Sequence, residues 1–120
     1  MPLLKVGGQM FTVNGKTWDI DFVEPTNDNL MRSDKVYTFG VTDNNIKTIF
    51  LSNKLYGKML DKVLCHELVH AFSFEYNYDI DIKTEEIIAD FMSLFGRDIV
   101  YLLDDLIDIL KKSPGGFIAN

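Results

Sequence analysis

The chain is short of the residues that usually tie a small protein together or fasten it to common partners. It has one cysteine, Cys65, in 120 residues. No intramolecular disulfide framework is therefore available, and a reducing compartment is the natural setting. Basic residues number 12 against 18 acidic ones, for a net charge of −6, and no Lys/Arg tract occurs. A partner with a phosphate backbone would select the opposite sign, so nucleic acid is not expected. No apolar run approaches the ~18 residues of a membrane span. The opening Met1-Pro2-Leu3-Leu4-Lys5-Val6-Gly7-Gly8 has too short an apolar stretch for a signal peptide. There is no internal repeat and no low-complexity tract. The expectation is a cytoplasmic protein with no membrane and no nucleic-acid partner.

What is present is a well-filled apolar complement. Hydrophobic residues make up 47% of the chain and aromatics 12%, which suits one packed domain and leaves no room for a second. That domain is expected over 1–112, with a flexible C-terminal tail over 113–120 that opens on Ser113-Pro114-Gly115-Gly116.

Histidine is scarcer than proline, two residues against three, yet both histidines fall in one pentad, His66-Glu67-Leu68-Val69-His70. On a helix, residues four apart share a face, so the two imidazoles can converge on one ion while Glu67 reaches a water beside it. That is the contribution one helix makes to a hydrolytic zinc site. The alternative is a pair of histidines satisfied by hydrogen bonds in a core.

Around the pentad the pattern reads α+β. Gln9 to Val13 and Lys16 to Val23 flank Asn14-Gly15, the strongest two-residue hairpin signal. One helical turn is expected at Leu30 to Asp34, a third strand from Lys35 to Val41, a turn at Thr42-Asp43-Asn44-Asn45, and a fourth strand from Ile46 to Leu51. An exposed edge on that fourth strand would accept an extended peptide by strand addition; a covered strand would not. Ser52-Asn53 can cap a long helix from Lys54 to Glu75 or Tyr76, apolar nearly all round and therefore buried. Thr84 caps a second helix, with Glu85 and Glu86 complementing the dipole of its first turn. This helix is expected to loosen or break at Gly96. Asp98 then starts a last stretch with Ile99, Leu102, Leu103, Leu106, Ile109 and Leu110 facing inward.

A catalytic zinc usually has three protein ligands and an open position. With no third histidine, the remaining ligand is a carboxylate or Cys65. Glu86 and Asp90 lie four apart on the second helix, so Glu86 can complete the set and Asp90 can accept the free N–H of a ligating imidazole. The competing reading makes Glu86, Asp90, Ser93 and Arg97 an ordinary solvated polar line. Cys65, about 100° round the helix from His66, reads more simply as a small buried hydrophobe. Tyr76, Tyr78 and Tyr101 are candidate donors to a developing oxyanion.

His66-Glu67-Leu68-x-His70-Ala71, followed by Glu86-x-x-Ala89-Asp90-Phe91 and preceded by the Ile49-Phe50-Leu51-Ser52 strand, resembles the gluzincin metallopeptidases. Within them the compact layout looks most like the ImmA/IrrE family, common in bacteria, prophages and mobile elements. The resemblance covers roughly residues 37 to 95. It implies a zincin-like fold, a small twisted and mostly antiparallel sheet of about four strands packed on the pentad helix and a second ligand-bearing helix. It implies Zn2+ held by His66, His70 and Glu86, with Glu67 as catalytic base and Asp90 buttressing a histidine. The activity implied is zinc-dependent endopeptidase hydrolysis through a metal-bound water. The implied partner is a protein or peptide substrate, such as a repressor, or an inhibitor protein. Net acidity favours basic or neutral peptides. The rival from another class is a catalytically silent zincin-like protein-binding module with a structural metal or none. Glu67 discriminates between them, since a purely structural site needs no base.

Overall fold

A computed structural model describes residues 9–112; the expectations for the N-terminal segment and the C-terminal tail lie outside them. The architecture is α+β: a four-stranded mixed sheet lies on one side of a helix, and a longer helix packs on another side. The strands are β1 (Gln9–Val13), β2 (Lys16–Val23), β3 (Gly40–Asp43) and β4 (Thr48–Ser52), and the helices α1 (Gly57–Glu75) and α2 (Ile82–Lys112). Among the described residues no helix is long and apolar enough to cross a membrane.

The β1–β2 hairpin forms where its turn signal places it. Asn14 and Gly15 both take positive φ, +50° and +78°, as the tight turn that matches strand twist requires. The sheet order is β1-β2-β4-β3. β1 runs antiparallel to β2, β4 lies parallel to β2, and β3 returns antiparallel to β4. β4 is thus central, and all five of its residues are buried. Peptide addition to β4 is therefore ruled out, because both its edges are already paired. The sheet edge beside α1 is β3 instead.

Segment boundaries move where local polar chemistry overrides propensity. The third strand begins at Gly40, not Lys35, because Lys35 adopts a left-handed φ of +68° and the Asp34 carboxylate accepts the Val36 N–H. The expected turn at Thr42-Asp43 is strand; the chain reverses through Asn44 to Lys47, where Asp43 Oδ1 accepts the Asn45 N–H. Asp28–Leu30 forms a short 3-10 turn, earlier than expected, capped by Asn27. The Ser52 hydroxyl accepts the Lys54 N–H, but α1 starts only at Gly57, whose φ of +57° turns the chain into the helix. In α2 it is the Asp81 carboxylate that accepts the Thr84 N–H, so Asp81 takes the capping role expected of Thr84.

The core joins the sheet to one side of α1. Val13, Trp18, Ile49, Leu51 and Ala71 are its buried centre, with Leu60, Val63, Leu64 and Leu68 packed against it. α1 is not buried all round as its composition suggested: Met59, Phe72 and Phe74 remain substantially exposed. One sheet and one helix cannot enclose a third element on every side. α2 shows the larger departure. It passes through Gly96 without a break, since Gly96 is buried on the packed side. Beyond that point Ile99, Leu102, Leu103, Leu106, Ile109 and Leu110 face solvent instead of the interior.

Candidate metal centre

α1 and α2 run antiparallel, as the pairing of Asp61 with Arg97 at one end and His70 with Glu85 at the other requires. This brings the pentad opposite the first three turns of α2. His66 Nε2 lies 3.1 Å from Glu86 Oε1, and His70 Nε2 lies 2.7 Å from the same oxygen. One atom from each of these three residues falls within 4.8 Å of the other two, a group that can hold a metal ion. The far sides of the rings are also held. His66 Nδ1 is 2.9 Å from Asp90 Oδ1, and His70 Nδ1 is 2.6 Å from Glu85 Oε2.

The donor chemistry fits a cation. All four ring nitrogens face carboxylate oxygens. A neutral imidazole carries one N–H, so with Nδ1–H donated outward each Nε2 presents a lone pair. Two such lone pairs aimed at an anionic oxygen repel unless a positive charge lies among them. Protonation of a ring supplies that charge in the metal-free protein, and a metal ion bound by both Nε2 atoms and Glu86 can supply it in its place, with the carboxylates on Nδ1 fixing the tautomers that binding needs.

Glu67 sits beside this group on the sheet side. Its Oε1 accepts from Thr42 Oγ1 at 2.7 Å, and that hydroxyl also lies 3.0 Å from the Glu67 carbonyl. Burial pushes the Glu67 carboxyl above the ordinary carboxylate range, against the opposing pull of the Thr42 hydroxyl and both imidazoles. For His70, burial alone would lower the pKa, but the Glu85 hydrogen bond and the charges of Glu67, Glu86 and Glu85 outweigh it and leave it raised. β3 can approach this closely only because residue 40 is glycine. A Cβ there would meet Val63 Cγ1 at 2.9 Å and Glu67 Cγ at 3.1 Å.

An open groove of about 260 Å3 runs over these groups, walled by Gly40, Val41 and Thr42 on one side and by Ile82 and Glu86 on the other. The Ser52 N–H donates to Phe39 O. Alternation along an antiparallel ladder then turns the backbone groups of Gly40 and Thr42 away from β4, along the outer edge above the groove.

The structure brings together every residue expected at the site: His66, Glu67, His70, Glu86 and Asp90. It sets Cys65 apart, with Sγ 3.5 Å from the Met92 carbonyl and its thiol pKa raised by burial. No tyrosine lines the groove; Tyr78 lines an adjoining hollow with Phe74 and Ile82. Tyr101 lies fifteen residues beyond Glu86 on the same helix, some ~22 Å along its axis. Glu85, a candidate from the sequence that reads there as a dipole-complementing first-turn residue, instead has its carboxylate buried against His70. The available signal was its spacing of four from Ala89 and eleven from Gly96, the small residues that mark the packed side of α2. Thr42, Gly40 and Arg32, the cation at the groove's rim, carried no local signal at all. Comparison with protein-family models, with curated proteins and with solved structures finds no match to this chain.

Proposed function

We propose that this chain is a zinc-dependent endopeptidase of the gluzincin type with a zincin-like fold, similar to the ImmA/IrrE metallopeptidases. The observation that carries the reading is the convergence of His66 Nε2, His70 Nε2 and a Glu86 oxygen, with a separate carboxylate on each Nδ1 and Glu67 alongside. Two imidazoles and one carboxylate suit zinc, and three protein ligands leave a position open for chemistry. When bound, zinc supplies Lewis acidity that polarises a carbonyl and acidifies a water.

The rest falls to the protein's own groups. Glu67, with its raised pKa, takes a proton from the attacking water and returns it to the leaving amine. Thr42 holds the Glu67 carboxylate in one orientation. The outward backbone groups of Gly40 and Thr42 pair with an extended substrate segment, which the groove keeps over Glu67. A protein substrate such as a repressor, presented as an exposed loop, meets this requirement.

The test is zinc analysis followed by peptide-library cleavage with wild type and Glu67→Gln. One zinc per chain in both proteins, with cleavage in wild type alone, supports the peptidase. Zinc bound equally but no cleavage by either protein favours the silent binding module.

A further inference from the structure

One face of α2 carries a feature the candidate metal site does not use. Ile88, Met92, Phe95, Ile99, Leu102, Leu106 and Ile109 follow one another at alternating spacings of four and three residues. This is an unbroken 3.5-residue repeat, the seam of a helix that packs on another helix. Yet every one of these side chains is between 36 and 61% exposed. At 100° per residue the seam lies on the flank of α2 opposite Glu86, Asp90 and Arg97. α1 does not cover it. Arg97 already pairs with Asp61 in the second turn of α1, so the last dozen residues of α2 extend past the start of that helix. The molecule is accordingly elongated, 58 Å in its longest dimension.

We infer that a second copy of this chain covers the seam, the two α2 overhangs pairing antiparallel. Three observations select this occupant. The 3.5-residue period calls for a helix, not a loop or a strand. An antiparallel register that sets Ile99 against Ile109 and Leu102 against Leu106 also brings Asp98 beside Lys112 of the partner subunit, twice by symmetry. A parallel in-register pairing instead sets Asp98 beside Leu103 of the partner subunit and Asp105 beside Leu110 of the partner subunit, charge against apolar side chain, and leaves Lys112 without an acidic neighbour across the seam. The overlap from Gly96 to Lys112, with Leu103 and Leu110 flanking the seam, covers on the order of 600 Å2 from each copy, the lower edge of what specific complexes bury. That area stands at the upper limit of the contiguous apolar patch that an ordinary monomer leaves in water. Asp105 faces its own symmetry copy and is the one like-charge contact in the arrangement. Both grooves stay open, because each lies on the other flank of its helix, with Glu86 in the two copies roughly 54 Å apart at 1.5 Å per residue.

Sedimentation of the full chain across micromolar concentrations tests this. Wild type should run at twice the monomer mass, and Leu106→Asp at the monomer mass, with its helical circular dichroism retained because residue 106 lies beyond α1. Register is read by cross-linking in a Cys65→Ser background. Ile99→Cys mixed with Ile109→Cys should give a disulfide between the two variants, and neither variant should pair with itself. A wild type that stays monomeric at every concentration overturns the inference, and so does self-linking of Ile99→Cys.

Discussion

α1 buries acidic side chains in two places, and the two are balanced differently. Near its end, Glu75 accepts the Trp18 indole N–H at 2.7 Å and pairs with Lys47 Nζ at 2.9 Å, while the Lys47 ammonium also lies over the indole ring. That cluster is complete, with one anion, one cation and a donor for the remaining lone pair. Eight residues earlier, Glu67, Glu85, Glu86 and Asp90 surround two imidazoles, and the cation at the groove's rim, Arg32, is already paired with Asp34. Of these four carboxylates only Glu67 and Glu85 are buried, and buried charge without a counter-charge is costly. A cluster that closes on itself holds the fold together; one left short of positive charge can take up a cation.

The contrast is tested most strongly by activity. Glu67→Gln should lower kcat by roughly 10²–10⁴-fold, the usual share of a positioned general base, with zinc content unchanged. Glu75→Gln should leave kcat within about twofold. Equal losses in both variants would erase the distinction. Next in size is the response to metal. Zinc at 100 times its Kd should stabilise the protein by about 2.7 kcal/mol, raising Tm by about 10 °C, and a chelator should reverse the shift. The same shift should persist in Glu75→Gln and vanish in His70→Ala, as read by thermal denaturation.

Within the candidate metal site the two imidazoles themselves differ. The Glu85 carboxylate on His70 is 7% exposed and the Asp90 carboxylate on His66 is 69% exposed. Removing the buried partner should cost more, because water cannot replace it. Glu85→Gln is expected to weaken zinc binding by roughly 10–100-fold, and Asp90→Asn by less than about tenfold. Competition with a chromophoric chelator measures both. The reverse order would mean that Glu85 serves packing alone.

The smallest effect concerns pH. The Lys47 ammonium, and after it the Trp18 N–H, hold the Glu75 carboxyl below its ordinary 4.5 despite the opposing effect of burial. Between the folded and unfolded pKa values the unfolded chain binds more protons, so stability rises with pH there. Glu75's contribution is therefore complete above about pH 4.5 and is lost as pH falls through the folded value. The Tm difference between metal-free wild type and Glu75→Gln should be constant at neutral pH and shrink as the pH drops through this window. A difference that grows on acidification would refute the assignment.

Much of the site was legible in the sequence because helical spacing is local information. His66 and His70 share a face wherever the helix sits, and Glu86 and Asp90 do likewise. What could not be read was how α2 turns about its axis against α1. That rotation decides that Glu85, one residue from Glu86, is buried on His70. The hairpin was legible through Asn14-Gly15, but the parallel pairing of β2 with β4 joins segments 29 residues apart and leaves no local trace. Gly40 is instructive in the same way: its role is the space it leaves for Glu67, and nothing near it in the sequence says so. The apolar run from Ile99 to Leu110 was correctly seen as one face of a helix. Its inward orientation was an error, because amphipathicity shows that a face wants a partner and not that the same chain provides one.

The central claim is that His66, His70 and Glu86 hold one ion together, and native mass spectrometry of the protein titrated with zinc tests it most directly. Wild type should take up one zinc per chain, and Glu86→Ala, still folded, should need at least ~100-fold more zinc for the same occupancy, about 2.7 kcal/mol of lost binding. Uptake by Glu86→Ala that matches wild type would contradict the account.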